Sequence, residues 1–330
     1  MSMKNQTLVS EIVLLGFQNL HNFKIPLFSL FLLIYIITVW ENVLIIVLVS
    51  TSRNLQSPMY FFLQQLSLCD LLNSTVIVPT LLQTVINGGV TVPFIGCITQ
   101  FSFFSVPESF ECLLLAVMSY DRYVAICIPL RYSSIMSHRV CVTFILMAWT
   151  IGLSCVLLLS FNIAALQFCN QNIINHFFCD FFPVVELSCS STFRAQMVAT
   201  LMSVLVIISP FILIIVSYIC IAHAILKIVS NTGRQKAFST CSSHLAVVSI
   251  FYGTLVSLYM IPPRKESQNI SKVLSLLYTV VTPLINPLIY SLRSTDIKEA
   301  LYTQWALHFQ TGNVLLAPAR PRMTHETVQL

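Results

Sequence analysis

Apolar residues run along this chain in seven long blocks, each interrupted by only a few polar positions. The first lies between Lys24 and Arg53, with Glu41 inside it; the second runs from about Pro58 to Ile86 and contains Asp70. The third, from about Phe94 to Ile126, carries Glu108, Glu111, Asp121 and Arg122, while the fourth, Val140 to Phe161, has no charge. The stretches between Arg194 and Lys227, Lys236 and Arg264, and Lys272 and Arg293 are also free of formal charge and give blocks five, six and seven. Blocks of about 20 to 32 residues suit helices across a hydrocarbon layer of roughly 30 Å and exceed the length of barrel strands. The pattern predicts an all-α membrane protein, a bundle of seven transmembrane helices.

Composition agrees. At 330 residues, 56% hydrophobic and 9% charged, the chain has too little polar surface to cover a soluble globule of its size. Lysine and arginine in the short connections set the orientation. With seven spans, one side carries Arg53, Arg131, Arg139, Lys227, Arg234, Lys236, Arg293, Lys298, Arg320 and Arg322, against Lys4, Lys24, Arg194, Arg264, Lys265 and Lys272 on the other. The amino terminus is therefore expected outside and the carboxyl terminus in the cytoplasm, with the first span acting as its own signal anchor. The expected divisions are an extracellular tail over 1–23, the helix bundle over 24–293, a short amphipathic cytoplasmic helix over 294–303 and a disordered cytoplasmic tail over 304–330. The net charge of +5 follows from these loops and does not indicate nucleic acid, which requires a clustered basic surface.

Of eleven cysteines, Cys69, Cys112, Cys127, Cys141, Cys155, Cys220 and Cys241 fall in or near spans, whereas Cys97, Cys169, Cys179 and Cys189 fall outside. Four cysteines in an oxidising compartment allow three pairings, and zinc is disfavoured because the CxxC pairs of a structural site are missing. Three of the four lie in a long connection from about Asn162 to Phe193, which reads as a lid over the outer end of the bundle. Asn5-Gln6-Thr7 is a glycosylation sequon in the outer tail; Asn269-Ile270-Ser271 lies close to the bilayer and Asn73-Ser74-Thr75 is inside a span.

Ionisable residues at membrane depth face the bundle interior and need partners. Asp70 and Glu111 fall near the middle or inner half of their spans together with the amides Asn286 and Asn42, and the residues alone leave three readings open: an ion pathway of a transporter, a bound cation within a receptor, or a static hydrogen-bonded cluster. Pro210 in block five and Pro287 in block seven each remove a backbone donor and bend a helix, either as a hinge or as a fixed kink satisfied by neighbours.

The segment "MSYDRYVAIC" at 118–127 resembles the inner end of the third helix of rhodopsin-like G-protein-coupled receptors, in the version found in odorant receptors. "SPMYFFLQQLSLCD" at 57–70, "SY" at 217–218, "KAFSTCSSHL" at 236–245 and "PLINPLIYSLR" at 283–293 agree with the same family, in order and spacing, from Asn5 to about Leu301. The resemblance implies the rhodopsin-like fold, Cys97–Cys179 and Cys169–Cys189 disulfides, and a sodium ion held by Asp70 and Glu111, with no other cofactor. It implies an inner switch of Asp121, Arg122 and Tyr123, with Tyr218 and Tyr290 as partners of the arginine on helices five and seven. Departures from the family pattern are Glu41 where glycine is common, Ser119 where alanine is usual, and a long tail ending "TVQL", whose Val328 and Leu330 make a weak PDZ-type ligand.

In the family, ligands bind in the outer half of the bundle. Here that region offers Phe101, Phe104, Ser105, Glu108 and Cys112 on one face of helix three, Met202, Ser203 and Val206 on helix five, and Tyr252, Leu255, Val256 and Tyr259 on helix six. Such walls suit a small, mostly apolar molecule. Glu108 either meets a polar or amine head of the ligand or is a carboxyl kept neutral by desolvation or bonded to a neighbouring hydroxyl. The implied function is that of a plasma-membrane odorant receptor signalling through an olfactory-type stimulatory G protein to cyclic AMP. A non-olfactory chemosensory receptor and a secondary transporter are the alternatives. Catalysis is unsupported, since the seven histidines form no HExxH and no GxSxG is present.

Overall fold

A computed structural model of the chain describes residues 9–18, 20–169, 172–260 and 268–311. Seven of its helices are long and apolar enough to cross a membrane. They are α1 (Lys24–Thr51), α2 (Pro58–Asn87), α3 (Phe94–Cys127), α4 (His138–Ala164), α5 (Phe193–Leu226), α6 (Asn231–Met260) and α7 (residues 268–293). An eighth, α8, covers Thr295–Thr311 and so continues past residue 303, where the sequence pattern ended it. Asn5, the tail beyond 311 with its Val328 and Leu330, and the side chain of Tyr259 lie outside the described residues.

Helix α3 is the axis of the bundle, packing against α2, α4 and α5, while α7 closes the ring against α1, α2 and α6. The outward faces of α1, α4 and α5 expose large apolar side chains such as Trp40, Leu146 and Leu213, as lipid-facing surfaces must. Inside, one apolar cluster runs from Leu55 and Met136 at one end up to Cys112 and Leu255, and two smaller clusters fill the other end.

Prolines shape two of the helices. A π-turn over Val204–Ile208 precedes Pro210, and another over Leu277–Val281 precedes Pro283. Each widened turn includes the residue four before the proline, whose carbonyl would otherwise clash with the ring. Pro287 deprives the Pro283 carbonyl of its helical donor, and Asn42 Nδ2 supplies one from α1 at 3.1 Å. That kink is thus satisfied by a neighbour.

The amino-terminal residues are not simply a tail. Three strands, β1 (Glu11–Leu14), β2 (Val90–Pro93) and β3 (Ile173–Ile174), form a sheet in the order β2-β1-β3, antiparallel on one side and parallel on the other. Gly16 follows β1 with φ +59°, and a Cβ there would stand 2.5 Å from Thr84, so both its conformation and its space demand glycine. Its N–H donates to the His176 carbonyl at 3.0 Å.

Candidate functional site

Three polar constructions sit in this frame. At the end of α3 that carries "DRY", Arg122 Nε donates to Asp121 Oδ2 at 3.0 Å and a second guanidinium nitrogen contacts the same oxygen. Tyr132, on a single-turn helix (Tyr132–Ile135) in the following loop, donates to the other oxygen, Oδ1, at 2.8 Å. Both members of the pair are buried, so the contact is desolvated rather than a solvated helix end. Burial and the Asp121 carboxylate keep the Tyr132 phenol protonated, as its donor role requires. Met59, Phe62, Met118 and His244 line the small void beside the pair.

The tyrosines assigned to the switch are near it without touching the arginine. Tyr218 O–H meets His244 Nδ1 at 2.6 Å, and the Tyr290 hydroxyl is buried with no hydrogen-bond partner. Tyr123 is half-buried against the core, its ring 6.2 Å from Tyr120. On the same side, Tyr60 of α2 donates to Asp296 Oδ2 at 2.8 Å and meets Ser294 Oγ at 2.9 Å, which ties α8 to the bundle.

Midway along the bundle, Asn286 Nδ2 reaches Asp70 Oδ1 and Oδ2 at 3.3 and 3.2 Å and Glu111 Oε1 at 3.5 Å. Asp70, Glu111 and Asn286 are all buried. One turn outward on α3, Glu108 Oε2 accepts from Asn73 Nδ2 at 3.5 Å, while Glu108 Oε1 and Asn73 Oδ1 are buried without partners. Among the described residues, no lysine or arginine forms an ion pair with Asp70, Glu111 or Glu108. Asn42 does not join them; its amide serves the Thr38 and Pro283 carbonyls.

The far end is closed by the long connection between α4 and α5. Disulfides join Cys97 to Cys179 and Cys169 to Cys189, and Gln100 Oε1 on α3 accepts from the Cys179 N–H at 3.0 Å. Phe177 and Phe178 are fully buried there, and Phe178 meets the ring of Phe104 edge-on at 5.3 Å. Lys272 of α7 donates to the Gly16 carbonyl and to Asn175 Oδ1, each at 2.6 Å, so strand, lid and helix share one ammonium group.

The residues assigned to a ligand pocket do not share one environment. Phe101 packs with the lid around Cys97 and Cys179; Phe104 packs with Phe178 and Tyr278. Cys112, Val206, Tyr252 and Leu255 belong to the central cluster with Met202 against it, and Tyr252 O–H donates to the Cys112 carbonyl at 3.4 Å. Ser105 and Ser203 are half-buried, and Val256 faces outward into an apolar groove of about 580 Å³ between α5 and α6.

An ionic contact thus lies at one end, an acidic cluster midway and a crosslinked lid at the other. The family model described as olfactory receptor matches residues 31–306. The chain belongs to the olfactory receptor family. Rat olfactory receptor 1468 is 46% identical over 301 residues, covering 91% of this chain and 96% of its own. Human olfactory receptor 11L1 is 45% identical over 301 residues (91% and 94%), and human olfactory receptor 5G3 is 46% identical over 297 residues (90% and 95%). The chain is thus a rhodopsin-like, multi-pass membrane receptor of a family that is not enzymatic.

Sequence reasoning missed several residues of this olfactory receptor's polar sites. His244 lies inside the quoted "KAFSTCSSHL" and was available to it. Tyr132 carried no signal, because nothing in a loop tyrosine announces that it folds back onto Asp121. Asn73, expected to be unmodified because its sequon lies inside a span, also donates to Glu108, a role the sequon did not signal.

Proposed function

We propose that this receptor binds a small, mostly apolar odorant in the outer half of its bundle and activates a stimulatory heterotrimeric G protein of the olfactory class, raising cyclic AMP. The observation that carries this reading is the buried Asp121–Arg122 pair, clamped by Tyr132 beside a Tyr218–His244 contact. A desolvated pair of this kind holds only while the helix ends around it stay packed, so a ligand that favours the opened arrangement releases it. The freed guanidinium then has Tyr218 and the unpartnered Tyr290 hydroxyl within the same inner end as new neighbours. The orientation consistent with this role has the amino terminus and lid outside and the Tyr132 loop in the cytoplasm, as the lysine and arginine distribution requires.

Asp70 and Glu111 would hold a sodium ion. Two buried carboxylates with one amide between them form an all-oxygen anionic donor set, which fits a hard cation and not a soft one. Such an ion would supply positive charge to the core; the chain's own part is to fix both carboxylates through Asn286.

The test is agonist-dependent cyclic AMP in cells supplied with an olfactory-type stimulatory G protein, across a chemically diverse odorant panel, with uptake of each compound measured in parallel. Cyclic AMP responses lost in Arg122→Ala support the receptor reading. Uptake without cyclic AMP would favour a transporter.

A further inference from the structure

The acids of the core differ in how well they are served. Asp70 and Glu111 share the amide of Asn286, whereas Glu108 has one long hydrogen bond from Asn73 and a second oxygen, Oε1, buried with no donor. Asn73 is itself buried, and the oxygen of the same amide that faces Glu108 is also without a donor. Two adjacent acceptors, one of them an acid, therefore lack the hydrogens they need. Burying such groups unpaired costs free energy that a suitable guest recovers. The surrounding field has one sign: Glu108 lies within electrostatic reach of Glu111 deeper in the bundle and of Asp180 in the lid. Above it on α3, Phe104 joins Phe178 and Tyr278 in an aromatic wall with ring centroids 5.3 and 5.9 Å apart.

We infer that Glu108 and Asn73 form the recognition point for the protonated amine of a small ligand whose apolar body packs against Phe104, Phe178 and Tyr278. An ammonium group brings several N–H donors and a positive charge, which answers both unpartnered oxygens and the unbalanced acids at once. Aromatic faces favour the same cation. The point is separate from the Asp70–Glu111 pair, which already shares a donor. This inference rests on the odorant-receptor reading and narrows its ligand class.

The experiment compares matched amines and alcohols on the full-length receptor: cyclohexylamine, hexylamine and benzylamine against cyclohexanol, hexanol and benzyl alcohol, with cyclic AMP and surface expression read together. The amines are expected to act at about tenfold lower concentration than their alcohols in the wild type. Glu108→Gln removes that advantage, Glu108→Asp restores part of it, and Glu186→Gln, an exposed acid of the lid, leaves it intact. The wild-type comparison stands even where Glu108→Gln fails to reach the surface. Amines no better than their alcohols, or an advantage that survives Glu108→Gln at matched surface level, overturns the inference while the odorant reading stands. Silence toward both classes from a receptor at the cell surface overturns the inference, and the odorant reading falls with it only when the diverse panel is silent as well.

Discussion

At the scale of single residues, Asp121 carries two commitments, since it accepts from both Arg122 and Tyr132. Replacing it with asparagine leaves a buried guanidinium without its charge partner, a loss of about 3–5 kcal/mol to the closed arrangement. Asp121→Asn is therefore expected to raise agonist-independent cyclic AMP at matched surface expression, and Tyr132→Phe, which removes one hydrogen bond worth about 1 kcal/mol, to do so less. An unchanged basal level in both variants would contradict the proposed role of the Asp121–Arg122 pair. In the lid, burial and the nearby Lys272 charge push His176 down from 6.5 to about 3. As pH falls below 6.5 the unfolded chain takes up a proton that the folded lid refuses, so folding loses at most about 1.4 kcal/mol per pH unit across that window. Burial raises Asp180, which acts with the opposite sign, so a His176→Asn comparison isolates the histidine. The melting temperature of the solubilised receptor should drop between about pH 7 and about pH 5, and drop less in His176→Asn. The motif around Arg122 was legible in the chain because its letters are contiguous; the Tyr132 clamp and the Asn73–Glu108 contact were not, because each joins residues brought together only by packing.

At the scale of elements, the seven spans were legible from charge spacing alone, since a bilayer constrains helix length more tightly than water does. The β-sheet was not. Glu11–Leu14 is four residues long and pairs with segments about eighty and one hundred and sixty positions away, so no local pattern specifies its partners. Gly16 carries the constraint instead: Gly16→Ala is expected to lower surface expression sharply, because the new Cβ collides with Thr84 and the backbone is left-handed. The prolines were visible as bends, but not the π-turns that absorb them or the donor that mends one. Because Asn42 stands in for the N–H that Pro287 lacks, the two are energetically linked. Asn42→Leu should cost about 1–3 kcal/mol in the native background and markedly less in the Pro287→Ala background, where the backbone can supply its own donor. Thermal melts of the four combinations measure that coupling; equal losses in both backgrounds would show the Asn42 contact to be incidental.

At the scale of the whole molecule, the two ends are built from different materials. The end that carries the lid is held by two disulfides, a three-stranded sheet and the Lys272 contacts. The opposite end is held by the Asp121–Arg122 pair, the Tyr132 phenol, the Tyr60 contacts to α8 and packed side chains, including a Tyr218–His244 contact between α5 and α6. If the Asp121–Arg122 pair keeps this end closed, α6 is expected to move when the pair is lost, since His244 of α6 lines the void beside it and bonds Tyr218 of α5. Cys241, one turn before His244, is a natural reporter: it is buried in the closed arrangement, whereas Cys220 is exposed and Cys127 partly so. In a receptor carrying Cys127→Ser and Cys220→Ser, a thiol reagent should label Cys241 slowly, and several-fold faster once Asp121→Asn is added, because the open population rises as the pair is lost. The four outer cysteines are already paired and report nothing. Labelling that is equally fast in both backgrounds would mean that α6 opens without regard to the ion pair, and the coupling between the two ends would then have to run through some other contact.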